Sequence, residues 1–150
     1  MILGLRGRCV GLALLSLAVG VSAAAADQGQ NQKPYIVKDG KVDKNTYNGW
    51  RRYTESCMRC HGPDGSGSSY APDLTQSLKT MSEDTFKSTV MGGRVNVGQA
   101  NENVMPSFAE VEDVTMYLDD IYAYLKARSD GVIGRGRPQK LTAMNEGPHG

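Results

Sequence analysis

Cys57-Met58-Arg59-Cys60-His61 is the stretch on which the reading of this chain turns. The C-x-x-C-H arrangement is that of covalent haem attachment. On a short helical turn it presents both sulfurs to the two vinyl groups of a haem, and the adjacent imidazole comes up beneath the iron as its proximal ligand. Three other readings use the same residues. A thioredoxin-like redox pair expects a surrounding βαβ pattern, which the sequence does not show. A zinc site needs about four ligands, and beyond Cys57, Cys60 and His61 the other histidine is His149, in a Gly-rich terminal tail. A plain disulfide between Cys57 and Cys60 is the simplest of the three.

Residues 1–26 bear on that choice. Arg6 and Arg8 precede the apolar run Val10–Val19, and Ala23 to Ala26 close the segment. This charge, core and small-residue order is that of a secretory signal peptide, cleaved after Ala26 or Ala23. The apolar run is shorter than the ~20 residues that span a bilayer, so no membrane span is expected after cleavage. Cys9 leaves with the peptide, and Cys57 and Cys60 remain in the periplasm, where thiols are oxidised or otherwise occupied. The 150 residues carry a formal net charge of +1, with 39% hydrophobic, 22% charged and 7% aromatic residues. That is the scale of one small domain, and the balance excludes the dense basic surface a nucleic-acid partner needs.

The sequence predicts three helices around the motif. Asn45–Ser56 lacks Pro and sets Gly49 and Tyr53 four apart, a gap and a ring on one helical face. Asp113–Arg128 carries Val114, Tyr117, Leu118, Ile121, Tyr124 and Leu125 at helical spacing, with Lys126 and Arg128 in the last turn and Gly131 beyond. Ser82–Met91 starts at the N-cap Ser82, has Glu83 and Asp84 in its first turn, buries Phe86 and Val90, and stops at Gly92-Gly93. The loop from His61 to Ser69 has almost nothing to bury, so it is expected to be ordered by wrapping a porphyrin. Pro34–Val42 reads as a small hairpin around Asp39-Gly40 in an N-terminal arm, residues 27–44. Residues 129–150 read as a flexible Gly- and Arg-containing tail, loose or draped over the 45–128 domain, with no core of its own.

Water, a second histidine or a methionine can complete the iron. Met58 lies between the cysteines, Met116 within the last helix, and Met81 and Met91 flank or belong to the middle one, while Met144 is in the tail. Met105 stands apart, where the polar loop Asn96–Asn103 runs into Met105-Pro106 and proline fixes an extended backbone that can direct a thioether inward. A methionine of a globular protein is otherwise core filler.

Gly49-Trp-Arg-Arg-Tyr53, the haem motif, Ala71-Pro72-Asp-Leu74, Val104-Met105-Pro106-Ser-Phe108 and Ile121-Tyr-Ala-Tyr124-Leu-Lys126 follow in this order, and with them residues 45–128 resemble a class I c-type cytochrome. The resemblance implies an all-α small cytochrome c fold, three main helices and loops around one covalent haem c on Cys57 and Cys60, with extended terminal arms. It implies His61 and Met105 as axial ligands, and a first and last helix crossing where Gly49 and Tyr53 meet Ile121 and Tyr124. It further implies a Pro72 carbonyl accepting from the proximal imidazole and an Arg94 that pairs with a haem propionate, an exposed loop arginine being the other reading of Arg94. Such a protein is a one-electron carrier and not an enzyme. The alternative is a haem enzyme or a gas or redox sensor whose Met ligand is labile or absent.

The stretches 39–53 and 117–128 are similar to a narrower group, the methanol-metabolism-related cytochromes that accompany quinoprotein, PQQ-dependent alcohol dehydrogenases. The implied partners are a periplasmic PQQ alcohol dehydrogenase as donor and an oxidase or another cytochrome in the respiratory chain as acceptor, with the carrier a monomer. Members often carry an additional cysteine pair, which this chain lacks outside Cys9, Cys57 and Cys60.

Overall fold

The computed structural model describes residues 33–97 and 102–141. The signal-peptide segment 1–26, His149 and Met144 lie outside the described residues. The order is β1 (Val37–Lys38), β2 (Lys41–Val42), α1 (Lys44–Ser56), α2 (Met58–His61), a 3-10 turn at Pro63–Gly65, α3 (Leu74–Ser77), α4 (Glu83–Gly92), β3 (Arg94–Val97), β4 (Glu102–Met105), α5 (Glu112–Met116), α6 (Leu118–Ser129) and β5 (Gln139–Lys140). The three long helices, α1, α4 and α6, are those the sequence predicts.

β1 and β2 pair antiparallel with Val37 opposite Val42. Asp39 and Gly40 both take positive φ, 52° and 72°, the twist that a two-residue hairpin turn demands. Asp43 then joins this hairpin to α1. Its carboxylate accepts from the Asn45 and Thr46 amides at 2.9 and 3.0 Å and from the Ile36 amide at 2.7 Å. An N-cap of this kind contributes about 1 kcal/mol.

α1 and α6 form the largest helix interface, and Gly49 makes it so close. A Cβ there would stand 1.8 Å from the Asp120 carbonyl oxygen. One and a bit turns on, the Tyr53 and Tyr124 rings lie tilted with centroids 5.5 Å apart, a pairing worth about 0.5–1.5 kcal/mol beyond its burial. Tyr53, Ile121, Tyr124 and Leu125 are at most 1% exposed. α4 reaches this core through Phe86, whose ring meets that of Tyr122 at 5.4 Å, and through Val90.

Three expectations need correction. The predicted helix 113–128 is two helices, broken at Tyr117 (φ −114°, ψ 25°). The apolar spacing that predicts one helix continues across the break, so the two helices share one buried face, with Val114 on α5 and Leu118 and Ile121 on α6. The polar loop before Met105 is an antiparallel strand pair, Arg94 to Val97 against Met105 to Glu102, because Val95, Val97 and Val104 alternate with polar residues at strand period. The tail expected to be coreless buries Ile133 and Leu141, 6% and 3% exposed, and β5 pairs parallel with β2. No helix among the described residues is long and apolar enough to cross a membrane.

Candidate haem-binding site

The motif occupies the corner where α1 ends. Cys57 caps α1, its amide donating to the Tyr53 carbonyl at 2.9 Å, and its own carbonyl starts α2 by accepting from His61 N at 3.0 Å. One helical turn thereby carries both sulfurs and the imidazole. Cys57 is half-buried and Cys60 exposed. Among the described residues the pair lacks the surrounding βαβ unit that a thioredoxin-like redox pair would have. Among the described residues no group of three or more His, Cys, Asp or Glu side chains converges as a metal cage, and His149 lies outside them.

His61 is only 8% exposed. Its Nδ1 lies 3.0 Å from the Pro72 carbonyl oxygen. A carbonyl can only accept, so Nδ1 carries the proton and Nε2 keeps the lone pair that a metal would use. The loop between them closes on itself. Gly67 N donates to the His61 carbonyl at 2.8 Å, the Ser68 hydroxyl to the Cys60 carbonyl at 2.5 Å, and Tyr53 Oη to the Gly62 carbonyl at 2.5 Å. Beyond Pro72, Asp73 caps α3 by accepting from Thr75 and Gln76 amides at 2.7 and 3.1 Å. The Thr75 hydroxyl on its carboxylate is the main cause that holds Asp73 below the usual carboxylate range.

Met105 ends β4, half-buried, directly across from Arg94 in the strand register. The chain behind it is pinned to the end of α4. The Ser107 hydroxyl donates to the Met91 carbonyl at 2.5 Å and Phe108 N to the Val90 carbonyl at 3.1 Å, which uses two of the four carbonyls a helix end leaves open. Gly93 (φ 72°) permits this approach, since a Cβ there would lie 2.7 Å from the Met105 carbonyl oxygen. Arg94 is exposed. Leu74, Met81, Met91, Met105 and Phe108 all lean on the core while only partly buried.

The donor set fits haem c. Two thiols in one helical turn, an imidazole whose Nδ1 faces the Pro72 carbonyl, and a rim of half-buried apolar side chains would supply attachment, a nitrogen for the iron and apolar walls. The sequence did not expose Tyr53 as a donor to the haem-motif loop, nor Asp64, whose φ of 61° is one of two positive values among the described non-glycine residues. The Asp64-Gly65 pair signalled a turn, but nothing local signalled its partners. Trp50 lies with Tyr47, rings 5.4 Å apart, and Arg52 stacks over Tyr117 at 4.5 Å.

The family model described as cytochrome c oxidase, cbb3-type, subunit III matches residues 44–125. Cytochrome c-553I of Paracoccus denitrificans is 48% identical over 105 residues, 70% of this chain and 46% of that protein, so the chain spans about half the length of that relative. Cytochrome c-555 of Methylococcus capsulatus is 38% identical over 129 residues, covering 85% of this chain and 89% of that one. The crystal structure of the c-type cytochrome XoxG from Methylobacterium extorquens AM1 superposes with a TM-score of 0.64 at 47% identity, over 72% of this chain and 67% of that one. A chain whose fold, motif and relatives agree in this way belongs to the c-type cytochrome family, whose prosthetic group is covalently bound haem c.

Proposed function

We propose that this chain is a periplasmic monohaem one-electron carrier, with haem c on Cys57 and Cys60 and with His61 and Met105 as axial ligands. The observation that carries the reading is the His61 Nδ1 to Pro72 carbonyl contact of 3.0 Å, which readies Nε2 for iron one residue after Cys60. Haem c supplies reversible one-electron exchange between ferric and ferrous iron. The chain's residues do the rest. Pro72 holds the imidazole ring, so its position need not change between oxidation states. Met105 would offer its thioether to the iron and so keep oxygen and peroxide from binding there. Arg94, across the strand pair from Met105, supplies positive charge for a propionate.

The donor assigned is a PQQ-dependent alcohol dehydrogenase, the acceptor an oxidase or another cytochrome, and the carrier works as a monomer. The likeness of 39–53 and 117–128 to cytochromes that accompany quinoprotein dehydrogenases supports the donor. The apolar run and small-residue end of segment 1–26 support export, with the mature chain beginning after Ala26 or Ala23.

Absorption spectra of the purified protein, oxidised and reduced, test attachment, spin state and thioether ligation together. A covalently bound, low-spin haem is the expected result. Rapid carbon monoxide binding by the reduced protein would instead favour a sensor or enzyme. Dehydrogenase plus alcohol should reduce the protein at a catalytically useful rate, and failure with every plausible quinoprotein removes the donor while leaving the carrier.

A further inference from the structure

Asp64 is the point at which the C-terminal arm meets the haem-motif loop. Its carboxylate is 10% exposed although it sits in a surface turn. Oδ1 accepts from the Gly136 amide at 2.9 Å and Oδ2 from Arg135 Nε at 3.3 Å. Its backbone carbonyl accepts from Arg128 Nε at 3.3 Å, while another nitrogen of the same guanidinium donates to the Ile133 carbonyl at 2.8 Å. Ile133 is buried, which fixes the arm at that point, and Leu141 N donates to the Val42 carbonyl at 2.8 Å further on. One residue along α6 from Arg128, the Ser129 hydroxyl donates to the Thr75 carbonyl at 2.7 Å.

These bonds bracket the imidazole. Asp64 follows His61 by three residues, and Thr75 follows Pro72 by three. Both ends of the His61 to Pro72 contact are therefore tied to the end of α6 and the arm after it. Asp tolerates the left-handed conformation better than most residues, and Asp-Gly favours a turn, but the carboxylate is withdrawn from water, so its partners fix which way the turn faces.

We propose that Asp64 is a positioning residue for the proximal imidazole: through Gly136, Arg135 and Arg128 the C-terminal arm clamps the turn that follows His61 and so sets the orientation of the ring toward the iron. The proposal rests on the haem reading above. It gives the segment beyond the family match, which ends at residue 125, a role at the redox centre.

The test uses the full-length, haem-loaded protein and three variants. Asp64→Gly keeps positive φ accessible but deletes the carboxylate. Asp64→Asn keeps an acceptor for Gly136 N. Arg135→Ala removes a side chain that is 71% exposed, so folding is not at stake. Amide exchange at Gly62, Gly65 and Gly67 should rise about tenfold or more in Asp64→Gly, the factor for about one lost hydrogen bond. The reduction midpoint and the paramagnetically shifted His61 ring signals should move with it. Asp64→Asn should restore most of each change, and Arg135→Ala should show a smaller shift of the same sign. Unaltered His61 signals and an unaltered midpoint in Asp64→Gly overturn the proposal, whether or not global stability falls. The absorption spectrum of the unsubstituted protein tests the haem reading first, so unaltered His61 signals in an Asp64→Gly protein that carries its haem count against the clamp alone.

Discussion

The imidazole side and the thioether side of the site are built by different means. His61 is buried, its ring bonded to Pro72, and its loop is closed on the motif by Ser68 and tied to α1 by Tyr53 and to the C-terminal arm by Asp64. Met105 is held from behind by the end of α4, but in front of it lies a strand pair whose facing residues Val95 and Val104 are each 64% exposed. The first arrangement holds the ring from several directions at once, with the Pro72 carbonyl on Nδ1 and the Asp64 turn behind it, so loss of one bond should shift the ring without releasing it. The second depends on one local hairpin, and segments with few buried contacts open at lower free energy. An electron carrier built this way should lose its thioether long before its imidazole.

The frame behind His61 is the place to break this contrast most severely. Gly49→Ala puts a Cβ against the Asp120 backbone, which no rotamer change relieves, and α1 must move off α6. A loss of about 3 kcal/mol or more in denaturant unfolding is expected, at the upper end of overpacking costs, and a near-neutral result would mean that the crossing is looser than it is drawn. Tyr53→Phe is gentler. It leaves the Gly62 carbonyl without its donor in a buried site, costing about 1–3 kcal/mol, and proton exchange should rise at Gly62–Gly67 before it rises in α6. Met105→Ala sharpens the contrast from the other side. Removing a half-buried side chain should lower stability by about 1 kcal/mol, less than either frame variant. Yet the reduced protein should then bind carbon monoxide readily, and an unchanged spectrum would move the ligand elsewhere.

The same division governs what could be read in the sequence. α1, α4 and the site motif were legible because their signals are local: Ser82 three residues before Thr85, whose amide it caps, Gly49 four before Tyr53, His61 beside Cys60. Pro72 was reachable only through the family resemblance, because the carbonyl it offers is backbone and has no compositional mark. The break at Tyr117 was hidden because the apolar spacing continues across it. β5 and the Asp64 clamp were hidden for a different reason. Gln139 pairs with Lys41 and Gly136 with Asp64, and a partner so distant in sequence leaves no periodicity to find. A Gly- and Arg-rich tail reads as solvated unless those partners are known.

Acid should give the smallest effect and the cleanest separation of the periphery from the site. Burial of the Asp130 carboxyl would raise its pKa, but hydrogen bonds from Lys126, Lys33 and Tyr35 outweigh it and hold the group well below the usual carboxylate range. The Tyr35 hydroxyl donates at 2.6 Å and Lys33 Nζ at 2.7 Å, so this one carboxylate fastens the N-terminal arm to the end of α6. A depressed folded pKa means that the stabilisation is complete above the unfolded value near 3.9 and drains away as pH falls below it toward the folded value. The NMR signals of the Tyr35 ring should therefore move toward their free-chain positions as pH drops below about 4, and Asp130→Asn should show the released signals already at neutral pH with little further change on acidification. Asp43, whose carboxylate ties the Ile36 amide to the start of α1, also lies on the arm, and the Asp130→Asn comparison separates its contribution from that of Asp130. If His61 signals shift over the same interval, the arm and the imidazole are coupled, and the contrast between a locked site and a loosely fastened edge fails.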